Sequence, residues 1–193
     1  MRPAATIAAS IFLVLNGTSL AHPQETLPEC DEDVIGVRCV ERRDTIGTWD
    51  LMEVIPPVGS QNVLILSTDS FEPIEGIFGR QEHAQLVLSC VENVTNLAVH
   101  FGENYMSDVG SFRTLIYKID DEAPVALAAA ASEDNFGLGL FTGVEAIPVI
   151  RSLFDRERLL VSATSFTGRD ITASFAIDGV EAAAEPLREL CNW

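Results

Sequence analysis

Apolar residues alternate with polar ones in short runs along most of the chain, and each run is closed by Gly, Pro, Asn or Asp. Leu86, Leu88 and Cys90 fall on one face of an extended segment, with Gln85, Val87 and Ser89 on the other. Leu97, Val99 and Phe101 repeat the pattern after a turn at Asn93 to Asn96, so the two segments read as a hairpin. A second hairpin has Leu115, Tyr117 and Ile119 on one strand face. It turns at Asp120-Asp121-Glu122-Ala123-Pro124 and returns as Val125 to Ala131. A third pairs the stripe Leu159, Val161, Ala163 with Ile171, Ala173, Phe175, Ile177 across the tight turn Thr167 to Asp170. Upstream, Trp49 to Ile55 and Val63 to Ser67 read as strands, and the Gly- and Pro-bearing stretch that follows, through Gly79, reads as a long loop.

Two segments carry a helical period instead. Ile147, Ile150 and Phe154 lie at i, i+3 and i+7, with Pro148 expected in the first turn, where its missing N–H costs little. Val180, Ala184, Leu187 and Cys191 form one inward face, and Pro186 must either kink that helix or mark its start near Glu185. The fold expected is therefore mainly β: an antiparallel, β-sandwich-like domain with two packed helices. Residues 22–48 differ in character. They are polar at first, then acidic and cysteine-bounded from Cys30 to Arg43, and read as a small helical or turn-rich appendage.

Met1 to Ala21 has the layout of a secretory signal peptide: Arg2 in the n-region, an apolar stretch from Ala4 to Leu15, and Ser19-Leu20-Ala21 before the expected cleavage. The expected organisation is a signal peptide over 1–21, the appendage over 22–48 and a β domain over 49–193. A periplasmic or secreted location follows, with no stable membrane insertion after cleavage, since no later run reaches the roughly 18 apolar residues of a membrane span. In such an oxidising compartment Cys30, Cys39, Cys90 and Cys191 are read as two disulfides, for which three connectivities exist. Spacing favours Cys30 with Cys39. Cys90 and Cys191, each on the apolar face of its own element, would then tie the middle of the chain to its last helix.

Charge narrows the partners. The 193 residues carry 12 Lys and Arg against 29 Asp and Glu, a net charge of -17, which disfavours nucleic acid and anionic membrane surfaces. A hydrophobic share of 47% is enough for a packed core. The isolated cations Arg113, Lys118, Arg151, Arg156 and Arg158 form no simple patch, because Arg113 and Lys118 fall on opposite faces of their strand. The acid runs Asp31-Glu32-Asp33 and Asp120-Asp121-Glu122 lack the spacing of an EF-hand loop and read as solvated turns. Asn93-Val94-Thr95 matches a glycosylation acceptor and is read only as a turn.

For catalysis the residues offer little. No G-x-S-x-G is present, and His83 and His100 sit at a strand edge and a strand end. One alternative is a secreted enzyme or copper protein: cleavage after Ala21 would make His22 the mature N-terminus, whose amine and imidazole, with His83 or His100, could form a histidine brace. A further alternative is a ligand-binding β-sandwich acting on an envelope or host component. No catalytic residue, cofactor or metal ligand set is assigned.

The order of motifs from Trp49 to Trp193 resembles the VasI/TagO family of type VI secretion-associated periplasmic proteins. The resemblance rests on Gly47-Thr48-Trp49, Val63 to Ser67, Leu86 to Asn93 with its cysteine, Tyr117-Lys118-Ile119-Asp120-Asp121 and Ile147-Pro148. It is closest at the end, where Ala173-Ser174-Phe175 leads through Asp178-Gly179-Val180 to Pro186-Leu187-Arg188-Glu189-Leu190-Cys191-Asn192-Trp193. Two departures stand out: Cys39 is followed by Val40-Glu41-Arg42-Arg43-Asp44 rather than an aromatic-Asp pair, and alanines occupy the Ala129 to Asn135 region where the family often has tryptophan. The resemblance implies a non-enzymatic accessory or interaction protein whose partners are envelope or secretion-machinery proteins.

Overall fold

The computed structural model describes residues 39–55 and 62–193. Eleven strands form one antiparallel sheet: β1 Cys39–Ile46, β2 Trp49–Ile55, β3 Val63–Glu75, β4 Gln81–Val91, β5 Val94–His100, β6 Thr114–Ile119, β7 Val125–Ala128, β8 Ala130–Ala131, β9 Gly137–Leu140, β10 Arg158–Thr164 and β11 Asp170–Ala176. The order is β7-β6-β10-β11-β3-β4-β5-β9-β8, with β1 and β2 added beside the first half of β3. The first and last strands of that path are joined by Ala129 alone, so one short segment pairs with β6 on one side and with β9 on the other. The sheet thus comes back on itself and is nearly closed, which hides most of its edges. Ala129 is buried at the switch and donates its N–H to the Arg113 carbonyl at 2.8 Å.

The alternation seen in the sequence sets which side chains fill the interior. Leu86, Leu88 and Cys90 are buried on β4, Leu97 and Val99 on β5, Leu159 and Val161 on β10, and Ala173 and Phe175 on β11. Each buried Leu or Phe contributes about 1.5–3 kcal/mol relative to exposure. Among the described residues three helices, rather than two, cover this core: α1 Gly143–Ser152, α2 Val180–Ala183 and α3 Glu185–Leu190. Helix α1 lies on β5 and β9 and faces inward with Ala146 and Ile150, followed by the buried Leu153. The proline at 186 splits the last helical segment at Ala184, so α3 starts at Glu185 with Pro186 in its first turn. Val180, Ala184, Leu187 and Cys191 nevertheless share the inward face, as their spacing requires. Cys191 is bonded to Cys90, with Cα atoms 5.8 Å apart, and so fastens the chain's end to β4. Cys39 is also disulfide-bonded, whereas Cys30 and the proposed Cys30–Cys39 pair lie outside the described residues.

Several expectations need correction. Cys39–Ile46 is a strand paired with β2, not part of a helical or turn-rich appendage. The expected loop from Thr68 to Gly79 is mostly strand: β3 continues to Glu75 through a register shift between Asp69 and Pro73, where a proline can sit in a ladder. The turn at Asn93 to Asn96 is shorter, with Glu92 and Asn93 at φ 51° and 63° as the two central residues of a hairpin loop and β5 starting at Val94. Pro148 lies in the interior of α1, which starts five residues earlier at Gly143. The amide it lacks would have bonded Val144, an exposed position where water replaces the lost partner.

Candidate functional site

The registers place three turns at one end of the barrel: Gly76 to Arg80 between β3 and β4, Ser132 to Phe136 between β8 and β9, and Ser165 to Arg169 between β10 and β11. The Glu92-Asn93 turn and the Cys90–Cys191 bond sit at the other end. The connection from β5 to β6, residues 101–113, crosses the first end and is tied down at both sides. Met106 N–H donates to Asn135 O at 2.7 Å, and Phe166 N–H donates to Tyr105 O at 2.8 Å. Asn104 is buried within it and donates its side-chain amide to Glu75 O at 3.1 Å and Phe101 O at 2.9 Å. Arg169 reaches across to Glu75 O and Gly76 O at 3.0 and 3.2 Å, which joins two of the turns. Phe101 and Met106 plug the interior beneath.

This scaffold holds a row of aromatic rings at the surface. Phe136 meets Tyr105 at 6.5 Å between centroids, Tyr105 meets Phe166 at 6.0 Å, and Phe166 meets Phe112 at 5.5 Å. Tyr105 is 44% exposed and Phe166 54%, and Val109 and Phe78 are also exposed on the connections at this end. A contiguous exposed patch of this kind marks a site of association, whereas single exposed apolar residues do not. The rings come from three separate connections, and no periodic signal links them. The available sequence signal was the placement of aromatic residues inside Gly-, Asn- and Asp-rich connections.

A polar cleft of about 530 Å³ adjoins the row, lined by Asp69, Glu82, His83, Gln85, His100 and Glu103, with Phe136 at its lip. Both histidines singled out in the sequence therefore share one cleft, on neighbouring strands. His83 Nδ1 donates to the Ser70 carbonyl at 2.6 Å, which places a proton on that nitrogen, and His100 Nδ1 lies 3.8 Å from Asp134. Burial on its own would raise the Asp134 pKa. The Ser132 hydroxyl, the Phe136 N–H and His100 together outweigh it and hold the carboxyl below its usual value of 3.8. No Ser, Thr or Cys is among the described residues that line the cleft. His22 and Asp31-Glu32-Asp33 lie outside the described residues. Among those described, no group of three or more His, Cys, Asp or Glu side chains is arranged to hold a metal ion.

The other sequence candidates have structural tasks. Asp120, at φ 45°, accepts the N–H groups of Glu157 and Arg158 at 3.2 and 2.9 Å, and Glu122 pairs with Arg156 at 2.7 Å. Arg158 lies over Phe71, and Arg151 and Arg188 both lie over Trp193, so these cations stack on rings or pair with acids rather than gather into a patch. Asn93 accepts a hydrogen bond from Asn192 beside the disulfide. No helix among the described residues is long and apolar enough to cross a membrane.

The sequence pattern of a family described as type VI secretion system VasI, EvfG matches residues 58–193. No curated protein matches the chain in sequence. Among solved structures, invasion associated protein B from Bartonella henselae superposes with a TM-score of 0.50 at 10% identity, over 79% of this chain and 100% of that one. That likeness is one of fold.

Proposed function

The chain belongs to the type VI secretion system VasI family, and from that premise we propose that it is an exported, non-catalytic accessory protein that docks a protein partner through its aromatic end. In this reading residues 1–21 direct export to the periplasm and are removed, 22–48 lead into the domain and contribute β1 to its sheet, and 49–193 form the rest of the docking domain. The partner is a component of the envelope or of the secretion machinery. The observation that carries the reading is the row of exposed Phe136, Tyr105 and Phe166 with half-buried Phe112, held on backbone-tethered turns at the end remote from the disulfide. Preorganised aromatic anchors of this type lose little side-chain entropy on binding, which is why they dominate interface energetics.

Site-specific photocrosslinking in the native envelope tests it. A photoreactive residue at Tyr105 or Phe166 is expected to capture a discrete envelope or secretion-system protein, and one at Asp121, on the opposite end, is not. Equal capture from both ends, or none from the aromatic end while the secretion system is assembled, would remove the proposal. Mature protein whose N-terminus is His22 is the expected result of terminal sequencing.

A further inference from the structure

We infer that the segment received by the aromatic end is a cationic one: an apolar side chain flanked by Lys or Arg, presented by a protein partner. The inference rests on the docking role proposed above and adds its chemistry. Acidic groups outnumber basic ones around the rings. Asp108, Glu133 and Asp134 lie on the two connections that carry Tyr105 and Phe136, and Asp69, Glu82 and Glu103 line the adjoining cleft.

Two of the three arginines on these connections are engaged within the fold, and the third, Arg113, is exposed beside Phe112. Arg80 bonds Glu103 at 2.8 Å and lies 3.6 Å from Glu82, while Arg169 spans the Glu75 and Gly76 carbonyls. Among the described residues no Lys or Arg pairs with Asp69, Asp108, Glu133 or Asp134, so an approaching anion would meet excess negative charge, whereas a guanidinium or ammonium group would gain both that field and the faces of the rings. The overall charge of -17 steers the same partner over longer distances.

Ring geometry separates a peptide from a glycan. Tyr105 stands at 86° to Phe136 and 74° to Phe166, so the row offers edges and pockets for side chains rather than the flat platform on which a sugar ring stacks.

Calorimetric titration of the full chain with two synthetic peptides tests the inference. Both peptides carry the same Leu and Trp residues; one is flanked by Arg and Lys, the other by Glu. The cationic peptide is expected to bind at least tenfold more tightly and to weaken as NaCl is raised from 50 to 300 mM. Phe166→Ser and Tyr105→Ser, both at exposed positions, should each reduce its affinity at least fivefold, and the pair Asp69→Asn, Asp134→Asn should reduce it for the cationic peptide alone. Asp121→Asn, at the far end, should leave it unchanged. Equal affinity for the two peptides overturns the inference, as does indifference to Phe166→Ser, equal loss with Asp121→Asn, or preferential binding of peptidoglycan glycan fragments. Crosslinking from Tyr105 or Phe166 to a protein partner, combined with no discrimination between the peptides, would sink the cationic assignment and leave the docking role standing. Failure of the crosslinks themselves would sink the docking role.

Discussion

Replacing both Cys90 and Cys191 with Ala removes a bond that closes 101 residues of sequence. In the chain-entropy treatment a loop of that length restricts the unfolded state by roughly 4.7 kcal/mol. Both sulfur atoms are buried, with Cys90 1% and Cys191 6% exposed, and the alanines leave small gaps that cost about 1 kcal/mol more. A loss of about 6 kcal/mol is a large share of the 5–15 kcal/mol that stabilises a typical domain. Urea unfolding of the oxidised wild type and the double variant, followed by tryptophan fluorescence, reads it directly. With a slope of about 2 kcal/mol per molar, the midpoint should fall by roughly 2–3 M. Cys191→Ala alone should fall as far, because one cysteine is as ineffective as none. A double-variant midpoint within about 0.5 M of wild type would refute the reasoning, and would mean that the unfolded chain already keeps its two halves together without the bond.

Three further outcomes are expected. A Cβ at position 139 would lie 2.5 Å from the Leu97 carbonyl and 2.8 Å from Ala98 Cβ, so Gly139→Ala should lower stability by about 2–3 kcal/mol. Gly143→Ala, whose nearest new neighbour is the flexible end of Ile147 at 3.3 Å, should stay within about 0.5 kcal/mol, and equal thermal melts for the two variants would contradict the packing described. Asn104→Ala strips the Glu75 and Phe101 carbonyls of a buried donor and should cost about 1–3 kcal/mol, with faster amide exchange over 102–109; unchanged exchange there would show that the amide does not tether the crossing connection. Because the Asp134 pKa is depressed in the fold, its stabilisation is complete above its unfolded value near 3.8 and is lost as pH falls through the lower folded value. Melting temperatures of wild type and Asp134→Asn should therefore differ at pH 6 and converge below about pH 3. A gap that is constant with pH would remove the ionic origin assigned to it.

Where an element is buried on one face, its sequence carried the answer: the stripes at Leu86 to Cys90, Leu159 to Ala163 and Ile171 to Ile177 alternate because one side meets the core. The same logic placed Cys90 and Cys191 together before any fold was known. Strand β1 was illegible because Val40 to Asp44 is rich in charge, as suits a strand at the edge of a sheet, and shows no clean alternation. The second half of β3 was masked by Pro73, which its register shift accommodates. Pro148 suggested a helix start and in fact occupies an exposed flank of the helix interior. The aromatic end was the least legible feature. Tyr105, Phe112, Phe136 and Phe166 are spread over sixty-two residues, and only the closure of the sheet and the crossing connection bring their rings together.

The contact between β3 and β11 sets how this chain must find its shape. Most ladders join strands that are neighbours in sequence, but this seam brings Ser70 beside Phe175 and unites the hairpins of the two halves. Each half can form its hairpins on a microsecond scale, so the search for this distant pairing governs the overall rate. The bond between Cys90 and Cys191 spans almost the same interval of chain. An oxidised, unfolded molecule therefore starts with the two halves already held at high local concentration, and should refold markedly faster than a reduced one. Under the export proposed above, the chain meets an oxidant only after crossing a membrane, and speed of folding becomes a property of the compartment it enters.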